Sequence, residues 1–172
     1  VKTIEENIRD TKLVNMEGHG RYKSIFIAPH NDDETLFGAY TIMREKPLVV
    51  IVTDSYKQAL RGLPITKEER IKETEEAMKI LGAEVIFLHC PDTKLNEHVL
   101  DQFKNLPIKK VYLPHPEENG NVDHNFVGKL CREIWQNEDT DMVEYSTYTS
   151  DRPYPSGKPI EPTEKEKELK MK

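Results

Sequence analysis

The chain reads as an α/β domain built on an open, mostly parallel, Rossmann-like sheet with helices on both faces. Three observations predict this. Short apolar runs alternate with helix-compatible segments along the chain. One run, Leu48–Val52, is apolar throughout and mostly β-branched, as a strand buried on both faces requires. Polar loops rich in ionisable residues follow the runs, where open α/β sheets hold their ligands.

The elements follow in order. Ser24–Ala28 is the first strand, Pro29–Glu34 a polar loop and Thr35–Arg44 a helix. Leu48–Val52 is the second strand. After a loop with Gly62 and Pro64, Thr66 and Glu69 form a Thr-x-x-Glu capping box. The helix it opens carries an apolar stripe of Ile71, Ala77, Met78 and Leu81 and stops at Gly82. Val85–His89 is the third strand, Asn96–Lys104 a helix and Lys110–Leu113 the fourth strand. A helix from about Asp123 to Gln136 and a strand near Met142–Thr147 complete the alternation. In the tail from Asp151, Thr163-x-x-Glu166 is a second capping box, opening a short helix that docking would order. No Gly-x-Gly-x-x-Gly follows the first strand, so dinucleotide binding is not supported.

A chain of 172 residues buries roughly 70% of the surface its unfolded form exposes, enough for one domain with a real core. The core is expected over about 22–150 and a tail over 151–172. The net charge of −6 is spread over interspersed acids and bases, which argues against nucleic acid as a partner. No apolar run is long enough to span a bilayer, and Val1–Asp10 is too charged for a signal peptide. Cys90 and Cys131, far apart and outside any Cys-x-x-Cys, fit reduced core thiols. The expected setting is the cytoplasm, and a homo-oligomer stays open.

Four loops follow strands: His30-Asn31-Asp32-Asp33-Glu34, Thr53-Asp54-Ser55, His89-Cys90-Pro91-Asp92 and His115 through His124. The first packs three carboxylates against one another, a repulsion that a divalent cation relieves. His30 and Asp33, three apart on a tight loop, can reach one ion while Asp32 points elsewhere. A second His from a distant loop would complete three protein ligands and leave a position open for water. Asp32, unligated, is placed to take a proton as general base.

These residues resemble a known family. Ala28-Pro29-His30-Asn31-Asp32-Asp33-Glu34 is similar to the Ala-His-Pro-Asp-Asp-Glu motif of PIG-L/LmbE-like N-deacetylases. Asn121-Val122-Asp123-His124 with Gly128 is similar to their His-Pro-Asp-His…Gly motif. Arg70-x-x-Glu73, ahead of Leu81-Gly82-Ala83, resembles the helix carrying a substrate-contacting Arg, and Asp92 matches a sugar-binding Asp. The likeness covers about residues 22 to 130. It implies a single LmbE-like deacetylase domain over 1–172, shortened at its C-terminus. It further implies His30, Asp33 and His124 as ligands of Zn2+ or another divalent metal, Asp32 as general base, and Glu34 orienting a ligand from behind. Arg70 and Asp92 would bind the substrate, an N-acetylglucosamine-type sugar or glycoconjugate hydrolysed to amine and acetate.

The chain departs from the family at two motif positions. Asn31 replaces a Pro, at a cost in loop rigidity. Asn121 replaces a His that steadies the oxyanion or protonates the leaving amine; Asn donates a hydrogen bond but delivers no proton at neutral pH. Either Asp32 handles both proton transfers, or His115 swings in, or activity is weak. Plainer roles are open for some residues: Arg70 pairing with Glu69 or Glu73, Asp92 shaping a turn, Asp123 capping its helix. Other functions are open too. One is a weak or inactive relative that binds metal or sugar. Another is a receiver-like magnesium domain, which lacks its Ser/Thr after strand four and its Lys after strand five. The third is a two-His-one-carboxylate iron oxygenase, against the α/β pattern.

Overall fold

A computed structural model describes residues 21–55, 65–117, 120–136, 139–147 and 158–172. The five apolar runs are strands β1 (Ser24–Ala28), β2 (Leu48–Thr53), β3 (Val85–Cys90), β4 (Lys110–Pro114) and β5 (Asp141–Tyr145), paired in parallel in the order β3-β2-β1-β4-β5. Among the described residues the α-helices are α1 (Asp33–Glu45), α2 (Lys67–Leu81), α3 (Val122–Trp135) and α4 (Glu164–Lys170). The loop with Gly62 and Pro64, and the start of the tail, lie outside the described residues.

Alternate residues of each strand face opposite ways, and both faces are apolar. On one face Ile25, Ile27, Val50, Leu88, Val111 and Leu113 pack with Val127, Leu130 and Trp135 of α3. On the other, Phe26, Ala28, Val49 and Ile51 pack against Ala39 and Ile42 of α1 and Met78 and Leu81 of α2. Helices therefore cover both faces, as the alternation of apolar runs requires. Among the described residues, no helix is long and apolar enough to cross a membrane.

The helix expected at Asn96–Lys104 is a correction. Its α-helical content is absent, and only Asp101–Phe103 winds, as a 3-10 turn. Asn96 Oδ1 accepts the His98 N–H, a local bond that competes with an α-helical start. The i→i+3 bonds that follow, such as Phe103 N–H to Leu100 O, bring Leu100 and Phe103 to the same side, where both are fully buried.

Both capping boxes form. Thr66 and Glu69 close α2 at its start, and Gly82 ends it at φ 72°, a left-handed position that glycine takes without steric penalty. Thr163 and Glu166 open α4, which docks on α1: Arg44 donates to both Glu166 oxygens (2.6 and 2.9 Å), and Lys170 donates to Leu36 O and lies over the Tyr40 ring. Arg44, together with the Thr163 N–H, holds the Glu166 carboxyl down to about 2 from 4.5. A depressed carboxyl stabilises docking fully above pH 4.5, and the contribution is lost as pH falls through about 2. Amide exchange across that window should release α4 before β1, and Arg44→Ala should release α4 at neutral pH.

Candidate active site

The strand order reverses between β1 and β4, because β1 leads by way of α1 to β2 on one side while β4 lies on the other. A crevice beyond the carboxyl ends of strands opens at such a switch point. The β1–α1 loop delivers His30 and Asp33 to it, and the start of α3 delivers Asp123 and His124.

All four side chains are buried: His30 is 3%, Asp33 1%, Asp123 2% and His124 3% exposed. His30 Nδ1 lies 3.1 Å from His124 Nε2 and 3.4 Å from Asp33 Oδ2, and His124 Nε2 lies 3.0 Å from the same oxygen. These three atoms form a triangle that one ion could cap. Tetrahedral ligands about 2.0–2.1 Å from zinc stand about 3.3 Å apart, so the triangle has the right size. The donor set, two imidazoles and one carboxylate, suits zinc and its neighbours.

Burial alone would push the Asp33 carboxyl up, but hydrogen bonds from His124 and His30 hold it at about 2. Burial likewise opposes charge on His30, and Asp123 and Asp33 outweigh it, raising the imidazole to about 9. Asp123 has a second task. Its Oδ2 meets His30 Nε2 at 3.1 Å, and its carboxylate accepts the Thr93 N–H. Once an ion displaces the Nδ1 proton, the proton that Asp123 keeps on Nε2 would leave the Nδ1 lone pair aimed into the triangle, the usual carboxylate support of a ligating His. Asp123 is not the helix cap: Asn121 is, its Oδ1 accepting from the N–H groups of Asp123 (2.8 Å) and His124 (3.3 Å). The sequence places Asp123 inside the Asn121–His124 motif, but only as a candidate cap.

Asp32 stands apart from the triangle. Its side chain is 42% exposed, and its backbone is left-handed at φ 99°. Burial, then the Asp33 charge, pushes its carboxyl up, against the pull of Arg70. Arg70 pairs with neither Glu69 nor Glu73: its Nη2 donates to Asn31 O (2.6 Å) and to Asp32 Oδ2 (3.1 Å). Glu34, 1% exposed, accepts the Asp32 N–H, and burial pushes its carboxyl up to about 7.

Asn31 ties the loop instead of loosening it. Its Nδ2 donates to Thr74 Oγ1 (3.0 Å), its Oδ1 accepts from Ser55, and Ser55 Oγ in turn accepts the Asn31 N–H. Asn31→Ala leaves the buried Thr74 hydroxyl without the amide it accepts from and the Ser55 O–H without its acceptor, and should cost about 1–3 kcal/mol in urea unfolding.

Asp92 is buried at the head of the loop after β3, beside Thr93. His115 is turned outward onto Glu144 and Arg132 rather than into the triangle. Asp54 and His89, from the other polar loops, are joined at 2.8 Å, and Lys67 holds the second Asp54 oxygen.

No curated protein matches the chain. Among solved structures it is similar to the A40926 pseudoaglycone deacetylase Dbv21, with 15% identity and a TM-score of 0.64 over 88% of this chain and 79% of that one. It is also similar to GalB, the 4-carboxy-2-hydroxymuconate hydratase of Pseudomonas putida KT2440, with 17% identity and a TM-score of 0.54 over 70% of this chain and 62% of that one. The chain thus spans less than two thirds of the hydratase. At these identities the likeness is one of fold. The PIG-L family model, described as GlcNAc-PI de-N-acetylase, matches residues 25–135, a span holding both loops of the triangle. With more than half of its length matched from β1 to the end of α3, the chain belongs to the PIG-L family.

Proposed function

We propose that the chain is a metal-dependent hydrolase that removes the N-acetyl group from an N-acetylglucosamine-type sugar or related acylated amine. Family membership supports a deacetylase-type hydrolase. The observation that carries the finer reading is the buried His30–Asp33–His124 triangle, three donors from two loops around one point. Zn2+ or another divalent ion held there would polarise the amide carbonyl and acidify a water.

The side chains would do the rest. Asp32, outside the triangle and with its side chain 42% exposed, takes a proton from water as the oxygen attacks the carbonyl carbon. It returns that proton to the nitrogen as the C–N bond breaks, leaving amine and acetate. Asn121 commits its Oδ1 to the helix cap, so its contribution is an N–H toward the oxyanion. His115, engaged by Glu144, favours assigning both proton transfers to Asp32. Arg70 and Asp92 line the substrate side, and free Cys90 and Cys131 support a reducing, cytoplasmic setting.

Elemental analysis after incubation with zinc and dialysis tests the reading. About one ion per chain is expected for the wild type, and none for His30→Ala or Asp33→Ala. Acetate release from a panel of N-acetylated sugars should accompany the bound metal. A metal-free wild type would overturn the proposal; metal without acetate release would make the protein a binding module.

A further inference from the structure

We propose that Glu34 is a positioning residue that releases the Asp32 carboxylate from helix capping and fixes it toward the crevice. The inference rests on the reading of Asp32 as proton acceptor. Two other helices, α2 and α4, show what is unusual about α1. At α2 and α4, a Thr cap lends its oxygen to the N–H three residues on, and a Glu there reaches back to the cap N–H. An Asp at the cap ordinarily does the same from extended backbone.

At α1 the exchange runs one way only, and its Glu stands two residues after the cap rather than three. Glu34 Oε2 accepts the Asp32 N–H at 3.0 Å, but the Asp32 side chain caps nothing. Asp32 instead sits at φ 99° and ψ −28°, a left-handed conformation unfavourable for a residue with a Cβ. The Thr35 hydroxyl bridges Asp32 O (3.1 Å) and Glu34 Oε1 (3.3 Å), closing a ring of contacts around residue 32. Glu34 is 1% exposed, and burying a carboxyl is costly where no structure uses it. Holding the Asp32 N–H is that use: the backbone bond keeps residue 32 left-handed, so its carboxylate swings off the helix end to Arg70 and the crevice.

Crystal structures and kinetics of Glu34→Gln and Glu34→Ala test this. Gln keeps an acceptor oxygen, so Asp32 should remain at positive φ with kcat within about threefold of wild type. In Glu34→Ala, Asp32 should relax to negative φ with its carboxylate on the first-turn N–H groups. Because misplacing a reacting group by about 1 Å costs up to about a hundredfold, kcat should fall at least about thirtyfold with KM and bound metal unchanged.

Three results would overturn the proposal: Asp32 still left-handed in Glu34→Ala, loss of metal from that variant, or an equal loss of kcat in Glu34→Gln. If the wild type releases no acetate, the functional reading fails while the conformation of Asp32 still decides this one. If Glu34→Ala does not fold, Thr35→Val removes the bridging hydroxyl and should lower kcat about tenfold at unchanged metal content; a kcat within about threefold of wild type would overturn the proposal.

Discussion

Gly128→Ala is expected to unseat α3 and with it His124, one corner of the His30–Asp33–His124 triangle. A Cβ built at Gly128 would lie 2.3 Å from Pro114 O and 2.8 Å from Pro116 Cγ. Pro114 ends β4, which is paired with β5 and anchored one residue later by the His115 N–H on Tyr145 O, so the strand cannot give way cheaply. The helix must move out instead, by about 1 Å, at a cost of about 3 kcal/mol for an overpacked site. For a chain of this size that lowers Tm by about 6–12 °C. Asp123 and His124 ride on the first turn of α3, so the triangle should open and zinc affinity fall at least about tenfold by chelator competition. A variant melting within about 2 °C of wild type would show that α3 has slack there.

How far the sequence alone reaches depends on whether the deciding contact is local. Strand β2 needs only its own apolar residues, and the capping boxes of α2 and α4 are complete within four residues, so these are legible. The Asn96–Lys104 segment is not, because Leu100 and Phe103 are pulled onto a distant sheet while Asn96 bonds locally. The site divides the same way. His30, Asp32 and Asp33 stand together in the chain with His124 in a second compact motif, but the two motifs meet only through the strand order.

Contacts between loops are the part that stays hidden. Asp123 works on His30, 93 positions away, and is anchored by Thr93. Neighbours in sequence suggest only a capping role. Arg70 shows the same limit, since Glu69 and Glu73 on its own helix are the visible partners and the real ones are Asn31 and Asp32. Asn31 reads as the loss of a stiff Pro until Thr74 and Ser55 are seen to hold it.

Substitutions at Asp32 should separate activity from stability in opposite directions. Asp32→Asn keeps the shape and tolerates left-handed backbone, but its amide cannot accept a proton at neutral pH. The triangle does not use the Asp32 side chain, so bound zinc should stay near one per chain while kcat for acetate release falls about 10²–10⁴-fold. The ion pair with Arg70 is lost too, but the Asp32 side chain is 42% exposed and such pairs are worth at most about 1 kcal/mol. Asp32→Gly goes further. Glycine adopts φ 99° without the Cβ clash, so the variant should match or exceed wild-type stability by up to about 1 kcal/mol in urea unfolding, although it is inactive. A residue kept for packing would lose stability on both substitutions. A residue kept for chemistry loses only the reaction, and a Gly variant clearly less stable than wild type would remove the case that strain at this position is retained for function.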